Sequence, residues 1–166
     1  MKISVGSKLP KFDFLTKIGD EIMCISYQEL FEDKTVALFA MPGAFTPTCS
    51  KYHVPSIIAT EETFKTHGVD TVAILTTNDP HVMAAWGVSN NIDPKKIVLL
   101  SDSGAEFTQN FGMIFSAPQS GLIRRSLRYA LIAKNGIITS FQIEKSRGVC
   151  DLSSGESLLK GADWSS

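Results

Sequence analysis

The apolar positions of the chain fall into short runs of strand length, separated by stretches of helical period. Thr35–Ala40 (Thr-Val-Ala-Leu-Phe-Ala) is apolar almost throughout, the pattern of a central strand covered on both faces. Val69–Thr76 and Ile97–Leu100 read as further strands. Arg128–Ala133 and Ile137–Ile143 predict two more, joined by Lys134-Asn135-Gly136, and Asn-Gly between apolar runs is the strongest short hairpin signal.

Helix signals lie between these runs. Ser26-Tyr27-Gln28-Glu29 has the spacing of a capping box and predicts a short helix through about Glu32. Thr46 suits an N-cap and Pro47 the first helical position, where a missing N–H costs nothing. That helix is expected to run to about Thr66, kinked at Pro55 and stopped by Gly68. Asn78-Asp79-Pro80 opens a helix over 80–90, Ala105–Asn110 reads as a short helix ended by Gly112, and Ser153-Ser154-Gly155-Glu156 opens a last helix through about Lys160. Residues 1–25 read as extended and turn-rich, and residues 113–124 as a long loop.

Strands alternating with helices imply right-handed crossovers and a parallel core, to which the hairpin adds an antiparallel edge. The expected fold is therefore α/β and thioredoxin-like, a central mixed β-sheet flanked by helices, with an N-terminal extension. The length of 166 residues and the 43% hydrophobic content suit a single domain over residues 1–166. The formal net charge of -1 gives no electrostatic reason to expect nucleic acid or an anionic membrane as partner. No signal peptide and no apolar run of membrane-spanning length is visible. The cysteines, Cys24, Cys49 and Cys150, are sparse and odd in number, which points to a reducing compartment and a cytoplasmic address.

Chemistry concentrates where the Thr35–Ala40 strand meets the following helix. Cys49 falls at the third helical position, where free N–H groups and the helix dipole favour the thiolate, the nucleophilic form. It also lies beyond the C-terminal end of a central strand, where reactive groups collect in α/β sheets. Placement alone reads equally as a nucleophile or as a small buried apolar residue.

Pro42-Gly43-Ala44-Phe45-Thr46-Pro47-Thr48-Cys49-Ser50 resembles the peroxiredoxin active-site motif. Phe39-Ala40-Met41, His53-Val54-Pro55, Asn78-Asp79-Pro80, Val82-Met83, Ala85-Trp86 and Arg128-Tyr129-Ala130-Leu131 resemble the type II (peroxiredoxin-5) subfamily in particular, and the likeness runs from about residue 5 to 160. The resemblance implies a thiol peroxidase that reduces hydrogen peroxide and alkyl hydroperoxides, in oxidative-stress defence. Cys49 would attack the distal peroxide oxygen and become a sulfenic acid. Thr46 would hydrogen-bond sulfur and peroxide, Arg128 would favour the thiolate and the charge on the leaving oxygen, and Pro42 would pack over the sulfur. The backbone N–H of Cys49 would help to position the peroxide. No metal, haem or flavin cofactor is implied. Thr46 also reads as a plain cap, Pro42 as loop punctuation, and Arg124 and Arg125 as solvated loop charges.

His53, four residues past Cys49 on the same helical face, reads equally as a contributor behind the site or as a partly buried histidine. Phe45, Met83 and Trp86 read as packing residues, near what the resemblance makes a homodimer contact. The strand Val72-Ala73-Ile74-Leu75-Thr76 lacks the second cysteine of plant-like members, and Cys150 takes roughly the resolving position of mammalian-like ones. It is expected on the far side of the terminal hairpin, and Cys24 as a structural cysteine. Reduction by glutathione, glutaredoxin or thioredoxin is therefore expected to be direct. A Cys49–His53 acyl-transfer hydrolase and a non-catalytic thioredoxin-fold module are the competing classes. The first has poor geometry on one helix, and the second is opposed by Pro42, Thr46, Cys49 and Arg128 occurring together.

Overall fold

The structure is a computed structural model that describes residues 3–146 and 148–164. Its elements in chain order are β1 (Phe14–Ile18), β2 (Glu21–Ile25), α1 (Tyr27–Phe31), β3 (Thr35–Ala40), α2 (Val54–Thr66), β4 (Thr71–Thr76), α3 (Pro80–Ser89), β5 (Ile97–Ser101), α4 (Glu106–Asn110), β6 (Ile114–Ala117), β7 (Leu122–Ser126), β8 (Tyr129–Lys134), β9 (Ile137–Ile143) and α5 (Gly155–Gly161). A π-helical turn, Cys49–His53, precedes α2, and a short 3₁₀ turn, Pro118–Ser120, joins β6 to β7.

A seven-stranded sheet in the order β2-β1-β5-β4-β3-β8-β9 carries the fold. The β3–β4 and β4–β5 pairs are parallel, while β8 joins β3 antiparallel and β9 extends that edge. This is the mixed sheet flanked by helices that the alternation implies. Period-two alternation divides each central strand between two cores. Val36, Leu38 and Ala40 of β3 enter one core with Leu30, Phe31, Phe107 and Phe111 of α1, α4 and their ends. Ala37, Phe39 and Met41 enter the other, against Val54, Ile57 and Phe64 of α2, Trp86 of α3 and Leu158 of α5. Hence the unbroken apolar run of β3.

Most element ends follow their sequence signals. Ser26 accepts from Glu29 N at 3.1 Å, Asp79 from Val82 N at 2.9 Å, and Ser154 from Ser157 N at 3.1 Å, each starting its helix. Asn135 (φ 51) and Gly136 (φ 75) make the tight β8–β9 turn, and a Cβ on Gly136 would run into Tyr27. The extended N-terminal segment forms the β1–β2 hairpin at the sheet edge.

Two expectations are corrected. Residues 113–124 are not a long loop, because β6 and β7 pair as a separate antiparallel ribbon. The second concerns the helical backbone that begins at Pro47 and its expected irregularity at Pro55. The irregularity lies upstream, in the π turn, where Val54 N donates to Cys49 O. Pro55 then occupies an early position of α2, where its missing N–H leaves no carbonyl of that helix unserved.

Candidate active site

β3 runs one bond past its end, with Met41 N donating to Leu75 O at 3.2 Å, before Pro42 turns the chain off the sheet. The loop that follows is clamped from outside. Asn78 Oδ1 accepts from Ala44 N at 2.8 Å and from Thr76 Oγ1 at 3.1 Å. From β7, Arg125 Nη1 donates to the Pro42 carbonyl at 3.0 Å. Gly43 lies between these clamps, and a Cβ there would collide with the Arg125 guanidinium. Phe45 has φ 63, which costs a non-glycine roughly 1–2 kcal/mol, and its ring is 57% exposed.

Helical backbone begins at Pro47, so Cys49 is the third helical residue, as expected. Thr46 supplies the first acceptor through its carbonyl, which takes Ser50 N at 3.1 Å. Its hydroxyl does something other than capping. Thr46 Oγ1 donates its proton to Gly43 O at 2.7 Å, which leaves its lone pairs as acceptors for an incoming O–H group.

The Cys49 sulfur is fully buried and accepts a hydrogen bond from Arg128 Nη2 at 3.1 Å. Arg128, one residue before β8, is itself 3% exposed. Its second terminal nitrogen, Nη1, lies 2.8 Å from His53 Nδ1, and His53 Nε2 lies 2.8 Å from Ser153 O. His53 is wholly buried rather than partly buried, with the edge of its ring against Phe39 at 5.9 Å between centroids. Burial, then the Arg128 charge, pushes its pKa from 6.5 down to about 3.

A cavity of about 240 Å³ lies beside this group, lined by Pro42, Thr46, Pro47, Ser120, Leu122 and Arg128 among others, so that Arg128 touches both the cavity and the buried sulfur. A larger open groove of about 890 Å³ runs between the β6–β7 ribbon and Lys145–Ser146 and shares Ser120 with it. The chemistry belongs to the smaller space, because Arg128 lines that one. This arrangement can hold a buried thiolate against a fixed cation and admit a small molecule beside an open hydroxyl acceptor. Among the described residues no cluster of His, Cys, Asp or Glu suits a metal ion, and no helix is long and apolar enough to cross a membrane.

The structure brings together Pro42, Thr46, Cys49, His53 and Arg128. His53 turns its polar atoms to Arg128 and Ser153, not to Cys49, so it is not placed as the base of a Cys–His hydrolase. Arg124 and Arg125 are not idle solvated charges: Arg124 Nη2 bonds Gln109 Oε1 at 2.9 Å, and Arg125 clamps the loop. No signal in the sequence marks Arg125, because its role depends on a ribbon that reads as loop. Met83 and Trp86 are core residues, and Trp86 Nε1 donates to Ser50 Oγ at 3.0 Å, tying α3 to the π turn.

Cys150 corrects a further expectation. Its segment lies against the site rather than away from it: Thr48 Oγ1 donates to Gly148 O at 3.3 Å, and Gly148 lines the cavity. Burial pushes the Cys150 thiol up to about 11, although Ser153 and Arg128 act to lower it. Cys24 is exposed on β2, at the edge of the sheet.

Residues 4–159 match the Redoxin family. The chain is 38% identical over 139 residues to hybrid peroxiredoxin hyPrx5 of Haemophilus influenzae, covering 84% of this chain and 57% of that protein. It is 38% identical over 162 residues to the chloroplastic peroxiredoxin-2E-2 of Oryza sativa, covering 95% and 72%. In three dimensions it is similar to reduced Prx3 of Vibrio vulnificus in complex with hydrogen peroxide. The TM-score is 0.88 at 35% identity, covering 96% of this chain and 98% of that one.

Proposed function

The chain belongs to the peroxiredoxins, in the type II or peroxiredoxin-5 branch, and is a thiol peroxidase, and from that premise we propose that Cys49 is its peroxidatic residue, acting on hydrogen peroxide and alkyl hydroperoxides. The observation that carries this reading is the 3.1 Å hydrogen bond from Arg128 Nη2 to Cys49 Sγ beside a cavity of about 240 Å³.

The Cys49 thiolate attacks the distal oxygen along the O–O axis. An S–O bond forms as the O–O bond breaks. The sulfur, oxidised by two electrons, keeps the distal oxygen as a sulfenic acid, and the other oxygen leaves with the electron pair and takes a proton from solvent to become water or an alcohol. Arg128 faces the sulfur and the cavity together, so one guanidinium stabilises thiolate and developing oxyanion. Thr46 Oγ1 accepts from the peroxide O–H, and the Cys49 N–H helps to position the peroxide. Pro42 closes the cavity wall against water.

An external thiol of the glutathione, glutaredoxin or thioredoxin class condenses with the sulfenic acid, losing water to form a mixed disulfide. A second thiol attacks that disulfide, releasing the Cys49 thiolate and leaving the reductant as its own disulfide. The raised pKa of Cys150 supports this reading, since a protonated thiol is a poor nucleophile near neutral pH. The placement of its segment beside the cavity supports a second reading, an internal Cys49–Cys150 disulfide. A homodimer is proposed on Phe45, whose exposed ring and left-handed backbone together suit a surface covered by a partner. The free thiols Cys24, Cys49 and Cys150 support a reducing, cytoplasmic setting.

Treatment with one equivalent of hydrogen peroxide should consume the oxidant and place sulfenic acid or mixed disulfide on Cys49 in peptide maps. Turnover with glutathione–glutaredoxin and with thioredoxin, side by side, identifies the reductant. Peroxide consumption by a Cys49→Ser chain at the wild-type rate would overturn the assignment.

A further inference from the structure

Both ring nitrogens of His53 meet partners of fixed polarity. The Arg128 guanidinium carries donors alone, so Nδ1, 2.8 Å from Nη1, must accept. The Ser153 carbonyl accepts alone, so Nε2, 2.8 Å away, must donate. A single state satisfies both, the neutral imidazole with its proton on Nε2. A protonated ring would turn an N–H towards the guanidinium, and the strongly lowered pKa agrees with that conflict.

The far end of this bridge is equally fixed. Ser153 donates its N–H to Glu144 Oε2 at 2.7 Å and its hydroxyl to the same oxygen at 2.5 Å, while Leu152 N donates to the carboxylate at 3.0 Å. Glu144 N in turn donates to the Arg128 carbonyl at 3.0 Å. The hydrogen bonds therefore close a ring: Arg128 backbone, Glu144, Ser153, His53, and back to the Arg128 guanidinium. Its first and last members belong to the residue whose other terminal nitrogen meets the Cys49 sulfur.

We propose that His53 is a positioning residue that fixes the Arg128 guanidinium through Nδ1, and so aims Nη2 at the Cys49 sulfur and the bound peroxide. An arginine side chain has several soft torsions, and holding it still costs rotamer freedom. Pinning one nitrogen of a planar fork sets the direction of the other. Errors of about 1 Å in such aiming can cost about a hundredfold in rate. Glu144 acts one step further back, by holding the Ser153 carbonyl in place. The inference rests on the thiol-peroxidase reading of Cys49.

The test is single-turnover oxidation of Cys49 by hydrogen peroxide, in chains carrying Cys24→Ser and Cys150→Ser, with thermal unfolding measured on each. His53→Leu keeps an apolar filler against Phe39 but neither hydrogen bond. His53→Gln offers an acceptor oxygen to Arg128 and a donor N–H to Ser153. Oxidation should slow at least about tenfold in His53→Leu, and His53→Gln should restore it to within about threefold of wild type. Should His53→Leu not fold, His53→Asn replaces it, since its shorter amide cannot span both partners and is expected to be slow. A wild-type rate in the apolar or short variant, or equal slowing in His53→Gln, overturns the proposal and leaves His53 a packing residue. Absence of peroxide oxidation in the His53 parent chain would instead overturn the reading on which it rests.

Discussion

Cys49 and Cys150 both feel Arg128, and their surroundings divide them. The Cys49 sulfur lies in the first turn of a helix, fully buried, with Arg128 Nη2 donating to it directly at 3.1 Å. Cys150 lies between β9 and α5, half-buried, with its sulfur 4.0 Å from Ser153 Oγ. There desolvation outweighs the charge of Arg128, and the thiol is pushed up to about 11. A nearby cation is thus not enough to make a nucleophile. The cation must be aimed, and the fold spends His53, Ser153 and Glu144 on aiming it at Cys49.

Acid should break this contrast first, and with the largest effect. The folded state holds His53 neutral down to about pH 3, while the unfolded chain takes up a proton near pH 6.5. Between those values the unfolded state binds more protons, so this contribution is intact above pH 6.5 and is lost as pH falls. The loss approaches about 1.4 kcal/mol per pH unit, or about 2 kcal/mol by pH 5. Urea unfolding of wild type and His53→Gln at pH 7 and pH 5 isolates it, since all other groups are shared. An equal loss in both chains would remove His53 as the cause.

Replacing the fork should come next. Arg128→Lys keeps the charge but cannot reach His53 and Cys49 together. Stopped-flow oxidation by hydrogen peroxide should slow by at least about tenfold, or about 1.4 kcal/mol of barrier, with an unchanged circular dichroism spectrum. A wild-type rate would turn attention to Arg125, which already touches the Pro42 carbonyl. The smallest effect is expected from Cys150→Ser, which should keep turnover with glutathione–glutaredoxin within about twofold of wild type. Abolished turnover, together with a dominant Cys49–Cys150 disulfide in the oxidised wild type, would favour the internal disulfide.

Caps and turns were legible because their chemistry is local. Ser26, Asp79 and Ser154 each bond an amide three residues on, and Asn135-Gly136 needs nothing beyond its own backbone preference. The β6–β7 ribbon was not legible. Its strands are short, carry Arg124 and Arg125, and stand apart from the main sheet, so neither alternation nor an apolar run announces them. The π turn was missed for a related reason. Pro55 signals that a helix must adjust, but not which residues absorb the adjustment, and here it falls on Cys49–His53, upstream of the proline.

The sequence by itself determined the alternation of strands and helices, the first-turn placement of Cys49 and the family motif, since each is written in adjacent residues or in short periods. The family motif also singled out Arg128, but only the tertiary structure decided how its guanidinium is divided between Cys49 and His53, how Arg125 is used and where the Cys150 segment lies. Arg128 and Cys49 are 79 positions apart, and His53 and Ser153 are 100 apart. Contacts of that span depend on packing the β8–β9 hairpin and the segment after it against the Cys49 helix. That packing is a property of the whole core, and no local pattern encodes it.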